Sequence, residues 1–239
     1  MASENMKDTA EFALPGAAVR PSRRAASAHV EVDLGALSHQ GKVRAQNEDH
    51  YLVARFGRSL EPMLTNIPKD HVPPAHAEIG YGMVIADGMG GAAGGEIASR
   101  SAIQDLVQLV LTTPDWIIHG QSPWIEQVVE RMGERFREID RLLNQRSVAN
   151  PSLAGMGTTM TLACSLGLDL VLCHIGDSRA YLFRQGQLSQ LTRDMTMAQE
   201  LLDAGTLSPT QAATNRFRHV LTQCLGGPGM PKTEARHLP

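Results

Sequence analysis

Hydrophobic and polar positions change period several times along the chain, and each change marks an element. In "HVEVDLGALSH", Val30, Val32, Leu34 and Ala36 alternate with Glu31 and Asp33. That is the period of a half-buried strand. "DHYLVARF" (49–56) predicts a second strand, and "IGYGMVIAD" a third, apolar on both faces near its end. Between them, residues 57–80 contain Pro62, Pro68, Pro73 and Pro74 and read as a long loop or insertion. The period then lengthens. Ile103, Leu106, Val107, Val110 and Leu111 form one apolar helical stripe. Ile125, Val128, Val129, Met132, Phe136, Ile139 and Leu143 form a second, with Ser122 as its expected N-cap and Pro123 at its first position. Alternation returns in "TTMTLACSL", "DLVLCHIGD", "RAYLF" and "QLSQLT", an antiparallel meander with a turn at "RQG". Residues 197–225 predict short helices. Strands, two helices and more strands imply an α+β layered domain.

Composition narrows the class. With 239 residues and a hydrophobic content of 42%, the chain can bury one sizeable core. We expect a flexible leader over residues 1–28 and one domain over 29–239. A formal charge of −3 argues against nucleic acid as a partner. No apolar run approaches the roughly 18 residues of a membrane span, so no membrane partner is expected. The N-terminus lacks the apolar segment of a secretion signal. The three cysteines, Cys164, Cys173 and Cys224, show no CxxC spacing. Buried reduced thiols and a cytoplasmic location are expected.

The chemistry-bearing residues are acids at strand ends or tight turns: Glu48 and Asp49 in "VRAQNEDHY", Asp87 in "VIADGMGG" and Asp177 in "HIGDSRA". A lone acid is most often a solvated surface group. Several gathered together repel unless a cation neutralises them. Oxygen ligands select Mg²⁺ or Mn²⁺, and Gly88, without a Cβ, can turn its carbonyl toward such an ion. Arg44 offers a planar fork for phosphate. Together they suggest metal-assisted phosphoryl hydrolysis.

Two other sites are spelled by the same letters. "GMGGAA" (88–93) fits the GxGxxA of a dinucleotide site, although Asp87 would repel a pyrophosphate there. "CHIGDSR" has the Cys-x5-Arg spacing of a thiolate phosphatase from Cys173 to Arg179, but a strand-like "AYLF" follows where a helix should. His71 and His76 lack a third ligand, and His174 reads as a satisfied core histidine.

The stretches "VRAQNED", "VIADGMGG", "GMGTTMTLA", "HIGDSRAYLFRQGQLSQLTRD" and "HVLTQCLGG", in this order, resemble the metal-dependent PP2C-like serine/threonine protein phosphatases of bacterial type. The resemblance implies an antiparallel β-sandwich flanked by helices, with a mobile flap near 197–215. It implies that Arg44 binds the substrate phosphate and that Asp87 bridges two Mn²⁺ or Mg²⁺ ions. Gly88 would ligate one ion through its carbonyl, Glu48 and Asp49 would hold metal-bound waters, and Asp177 would hold a weaker third ion. The implied reaction is hydrolysis of phosphoserine or phosphothreonine by metal-activated water. Phosphorylated proteins and a cognate Ser/Thr kinase are the implied partners, with the enzyme a monomer.

Two positions depart from the family pattern. Met89 stands where some members carry a histidine that protonates the leaving group. Members also carry, beyond the point matching "LGGPGMPKTEARHLP", an apolar strand ending in Asp-Gly and a later Asp-Asn pair, whose aspartates ligate the metal shared by Asp87. The expectation is therefore a phosphatase lacking its last strands and weakly active, or else a phosphoprotein-binding pseudophosphatase.

Overall fold

The computed structural model describes residues 32–44, 46–68, 71–72, 76–90, 94–112, 124–166 and 168–238. The expected leader (1–28) and the N-cap pair Ser122 and Pro123 lie outside them. Among the described residues, eight strands and four α-helices occur in the order β1 (Asp49–Leu60), β2 (His76–Met89), α1 (Gly94–Thr112), α2 (Trp124–Ala149), β3 (Gly157–Thr158), β4 (Met160–Leu166), β5 (Asp169–Ile175), β6 (Tyr181–Arg184), β7 (Gln187–Gln190), α3 (Met197–Asp203), α4 (Pro209–Thr214) and β8 (Glu234–Leu238). Strands β1-β2-β4-β5-β8 lie side by side in that order, with β3 on the end of β2, and β6-β7 form a separate two-stranded sheet. Every pairing is antiparallel. The fold is α+β, with antiparallel sheets flanked by helices.

Period-2 alternation decides which face each strand buries. Val84 and Ala86 of β2, Met160, Leu162 and Cys164 of β4, and Val171, Cys173 and Ile175 of β5 face the helices and are buried. The predicted stripe of α2 meets them: Val128, Met132, Phe136, Ile139 and Leu143 are all buried, the last three completely. From α1 come Ala98, Ala102, Ile103 and Leu106, drawn from the predicted stripe and the turn before it. A bidentate pair between Arg146 on α2 and Asp105 on α1 ties the two helices together, with contacts of 2.5 and 2.7 Å.

The opposite face is covered unevenly. Over β5 it is closed, where Leu172 and His174 are 2% and 1% exposed and the His174 ring meets the Thr161 hydroxyl and the Arg193 carbonyl. Over β1 and β2 it is open, leaving Tyr51 and Ile85 exposed above a groove of about 560 Å³ whose other wall is residues 34–39.

Two expectations need correction, and one strand carries no sequence signal. Residues 32–40 are not a strand, and Val32 and Leu34 are partly exposed. Alternation predicts a strand only where a partner strand takes up the backbone groups, and none does so here. The stretch 57–80 is not loop throughout, because β1 runs on to Leu60 and β2 begins at His76, and these ends pair with each other. Strand β8 was not foreseen, since "EARHL" offers a single large apolar residue.

Candidate metal centre

The sheet topology gathers four chain segments at one end: the start of β1, the end of β2, the start of β4 and the turn after β5. Asp49 and Asp87 are direct register partners. Partners across an antiparallel ladder point to the same face, about 5 Å apart at Cβ, where two like charges are unfavourable. The Asp87 carboxyl is accordingly pushed from its ordinary 3.8 up to about 6. Burial is the largest cause, followed by the charges of Asp49 and Asp177, with Arg44 opposing them. Asp87 nevertheless keeps a solvent-accessible side. Asp177 is half-buried and is itself raised, by burial and then by Asp194, with His219 and Arg179 pulling the other way.

Strand register thus brings Asp49 and Asp87 together and places Asp177 within electrostatic reach. Glu48, the residue before Asp49, lies on the α1 side. A Cβ on Gly95 would stand 2.7 Å from its Cδ, so the carboxyl rests against the first turn of α1, where a helix favours negative charge. Arg44 reaches it at 3.9 Å and is otherwise exposed.

The structure supplies a packing reason for glycine at 88. A Cβ there would lie 2.0 Å from the Gly95 carbonyl oxygen, so the β2 end and the α1 start touch backbone to backbone. The Gly88 N–H donates to the Glu48 carbonyl at 3.2 Å, and the buried Ser99 hydroxyl caps the same oxygen at 2.6 Å.

The backbone of Asp87 is held by residues that motif reading passed over. Its carbonyl accepts the Thr159 N–H and the Thr158 hydroxyl, each at 2.9 Å. Its N–H donates to the Thr159 hydroxyl at 3.1 Å, and that hydroxyl meets Ser178 Oγ at 2.7 Å. Thr159 therefore links the Asp87 strand to the turn that carries Asp177. The signal was present as "GTT", but nothing in the spacing says that both hydroxyls turn inward.

Do these residues suit a divalent cation? Two opposed carboxyls, one of them holding its proton up to about pH 6, form an anionic pair that a cation would relieve. The donors are all oxygen, the set a hard ion prefers, and Mg²⁺ or Mn²⁺ held by few carboxylates keeps several waters. The fit is therefore good, with one restriction. Among the described residues, no three His, Cys, Asp or Glu side chains stand close enough to enclose an ion by themselves.

The rival sites fail on geometry. Cys173 is fully buried with its thiol pushed up to about 12, chiefly by burial, and Arg179 is locked onto Asp194 by two contacts. No thiolate cradle exists there. The antiparallel pairing of β2 removes the βαβ unit a dinucleotide needs.

The family model for protein phosphatase 2C matches residues 74–220, more than half of the chain. The chain belongs to the protein phosphatase 2C family. The serine/threonine protein phosphatase PstP of Mycobacterium tuberculosis is 32% identical over 84% of this chain, which spans about a third (33%) of that relative's length. Among solved structures, the S. agalactiae serine/threonine phosphatase is 25% identical, with a TM-score of 0.61 over 83% of this chain and 70% of its own. The catalytic domain of PstP in complex with 2 manganese ions is 30% identical, with a TM-score of 0.53 over 80% and 74% of the two chains. No helix among the described residues is long and apolar enough to cross a membrane.

Proposed function

We propose that this chain hydrolyses phosphoserine and phosphothreonine esters of proteins with the help of Mn²⁺ or Mg²⁺ ions. The observation that carries the reading is the Asp49–Asp87 cross-strand pair, with Asp177 near enough to raise the same proton. Asp87, with Asp49 beside it, would hold two ions, and Asp177 a third and weaker one; the Gly88 carbonyl and the Glu48 side chain complete the proposed set. When bound, the ions supply an acidified water and polarise the phosphoryl group. The chain's own residues do the rest. Arg44, exposed beside Glu48, orients the phosphate through its planar fork. Thr158 and Thr159 keep the Asp87 backbone from shifting as its carboxylate takes up charge. A cytoplasmic location accords with three free cysteines, two of them buried. A cognate Ser/Thr kinase and a monomeric state complete the proposal.

Release of phosphate from a phosphothreonine peptide tests it. Turnover that requires Mn²⁺, stops with EDTA and is lost in Asp87→Asn supports the reading; turnover in EDTA overturns it. Arg44→Ala should raise KM several-fold with little change in Mn²⁺ affinity. A second reading, a phosphoprotein-binding module without turnover, is favoured by the lack of a three-residue ligand cluster among the described residues. Phosphopeptide binding in Mn²⁺ with no phosphate released would establish it.

A further inference from the structure

Asp140 on α2 takes no part in the chemistry above, yet it is only 7% exposed. Its Oδ1 accepts the Gly226 N–H at 2.8 Å, and its Oδ2 accepts the Asn144 side-chain amide at 3.2 Å. Burial pushes its carboxyl up, and these two donors pull it back. A buried acid is unfavourable unless hydrogen bonds compensate it, and here they come from Gly226 and Asn144.

What it holds is a turn that can adopt few other shapes. Gly226 has φ +78, and a Cβ there would lie 2.9 Å from the Met156 carbonyl oxygen. The preceding residue, Leu225, is completely buried and exchanges two backbone hydrogen bonds with Thr158, both 2.9 Å. Thr158 then places its hydroxyl on the Asp87 carbonyl. One run of contacts leads from a helix carboxylate, through a glycine turn, to the backbone of the central metal-ligand candidate.

We propose that Asp140 is a positioning residue for Asp87: by pinning Gly226 to α2 it fixes the Leu225–Thr158 pairing, and through it the backbone from which Asp87 presents its carboxylate. The consequence for ions rests on the metal-dependent reading above, whereas the consequence for the backbone does not. Groups that orient a metal ligand from behind typically change affinity by about ten- to a hundredfold when removed.

The test compares Asp140→Ala, Asp140→Asn and Asn144→Ala in the full chain. Amide hydrogen exchange of the metal-free protein comes first. Asp140→Ala should speed exchange at Asp87, Thr158 and Thr159, while Asn144→Ala, which keeps the Gly226 contact, should not. Asp140→Asn, which still turns an oxygen to Gly226, should restore protection. Mn²⁺ titration followed by electron paramagnetic resonance comes second, with about tenfold weaker binding expected for Asp140→Ala and less than twofold for Asn144→Ala. If Asp140→Ala does not fold, Asp140→Thr, too short to reach Gly226, carries the same expectations. Unchanged exchange at those three amides in a folded variant overturns the proposal, as does an equal loss in Asn144→Ala. Should the unaltered chain bind no Mn²⁺, the metal reading falls and the exchange results alone decide the role of Asp140.

Discussion

Replacing Asp87 by asparagine should stabilise the metal-free protein while removing its response to metal. The sign follows from the pKa. Asp87 titrates near 6 in the folded chain against an ordinary 3.8, so the folded state holds the proton more tightly than the unfolded one. Stability therefore falls as pH rises from about 4 to about 6, and above that the ionised carboxylate is a standing cost. The rise has a ceiling of about 3 kcal/mol at 1.4 kcal/mol per pH unit. Because the side chain keeps solvent contact, screening reduces this to about 1 kcal/mol. For a chain of this length, that is roughly 2–4 °C in melting temperature. In EDTA at pH 7.5, Asp87→Asn should melt that much higher than the unaltered chain, and the gap should close as pH falls toward 4. In Mn²⁺ at about a hundred times Kd, the unaltered chain should gain about 2.7 kcal/mol and overtake the variant. Scanning calorimetry with and without Mn²⁺ reads both effects. A variant that melts lower in EDTA, or one that keeps the full Mn²⁺ shift, would refute the assignment of Asp87.

Other outcomes follow from the same structure. Mn²⁺ must displace the Asp87 proton, so its affinity should fall by about tenfold per pH unit below about 6 and level off above it; isothermal titration across pH 5–8 checks this. Gly88→Ala, whose Cβ would collide with the Gly95 carbonyl at 2.0 Å, should cost about 1–3 kcal/mol in urea unfolding and weaken Mn²⁺ binding as well. Phe136→Ala empties the completely buried centre of α2 and should cost about 3–5 kcal/mol. It should leave Mn²⁺ affinity within about twofold of the unaltered chain, a separation of core from site that titration of the folded variant can deny.

Much of this is legible in the sequence. The stripe from Val128 to Leu143 could only be a helix against a core, and the alternation of Met160, Leu162 and Cys164 could only be one buried strand face. What failed was information carried by partners. Val32 and Leu34 alternate as a strand does, but no neighbouring strand receives them. Residues 57–60 and 76–80 flank prolines and look like loop, yet each supplies the other's hydrogen bonds. At the site, acids announce themselves by type. Thr158, Thr159, Gly95 and Asp140 do not, because their roles are contacts between segments far apart in sequence. Gly95 matters only because Gly88 and Glu48 arrive beside it, and Asp140 only because Gly226 turns its N–H inward.

Strands β1 and β2 zip up as one hairpin, and β4 and β5 as another, each from local contacts. The seam between them, β2 against β4, joins segments separated in sequence by both long helices, and loop closure makes such a joint slow to form. The Thr158–Thr159 grip on Asp87 lies on that seam. An ion bound there grips the last stitch, so it should lengthen the lifetime of the native state more than it hastens its formation.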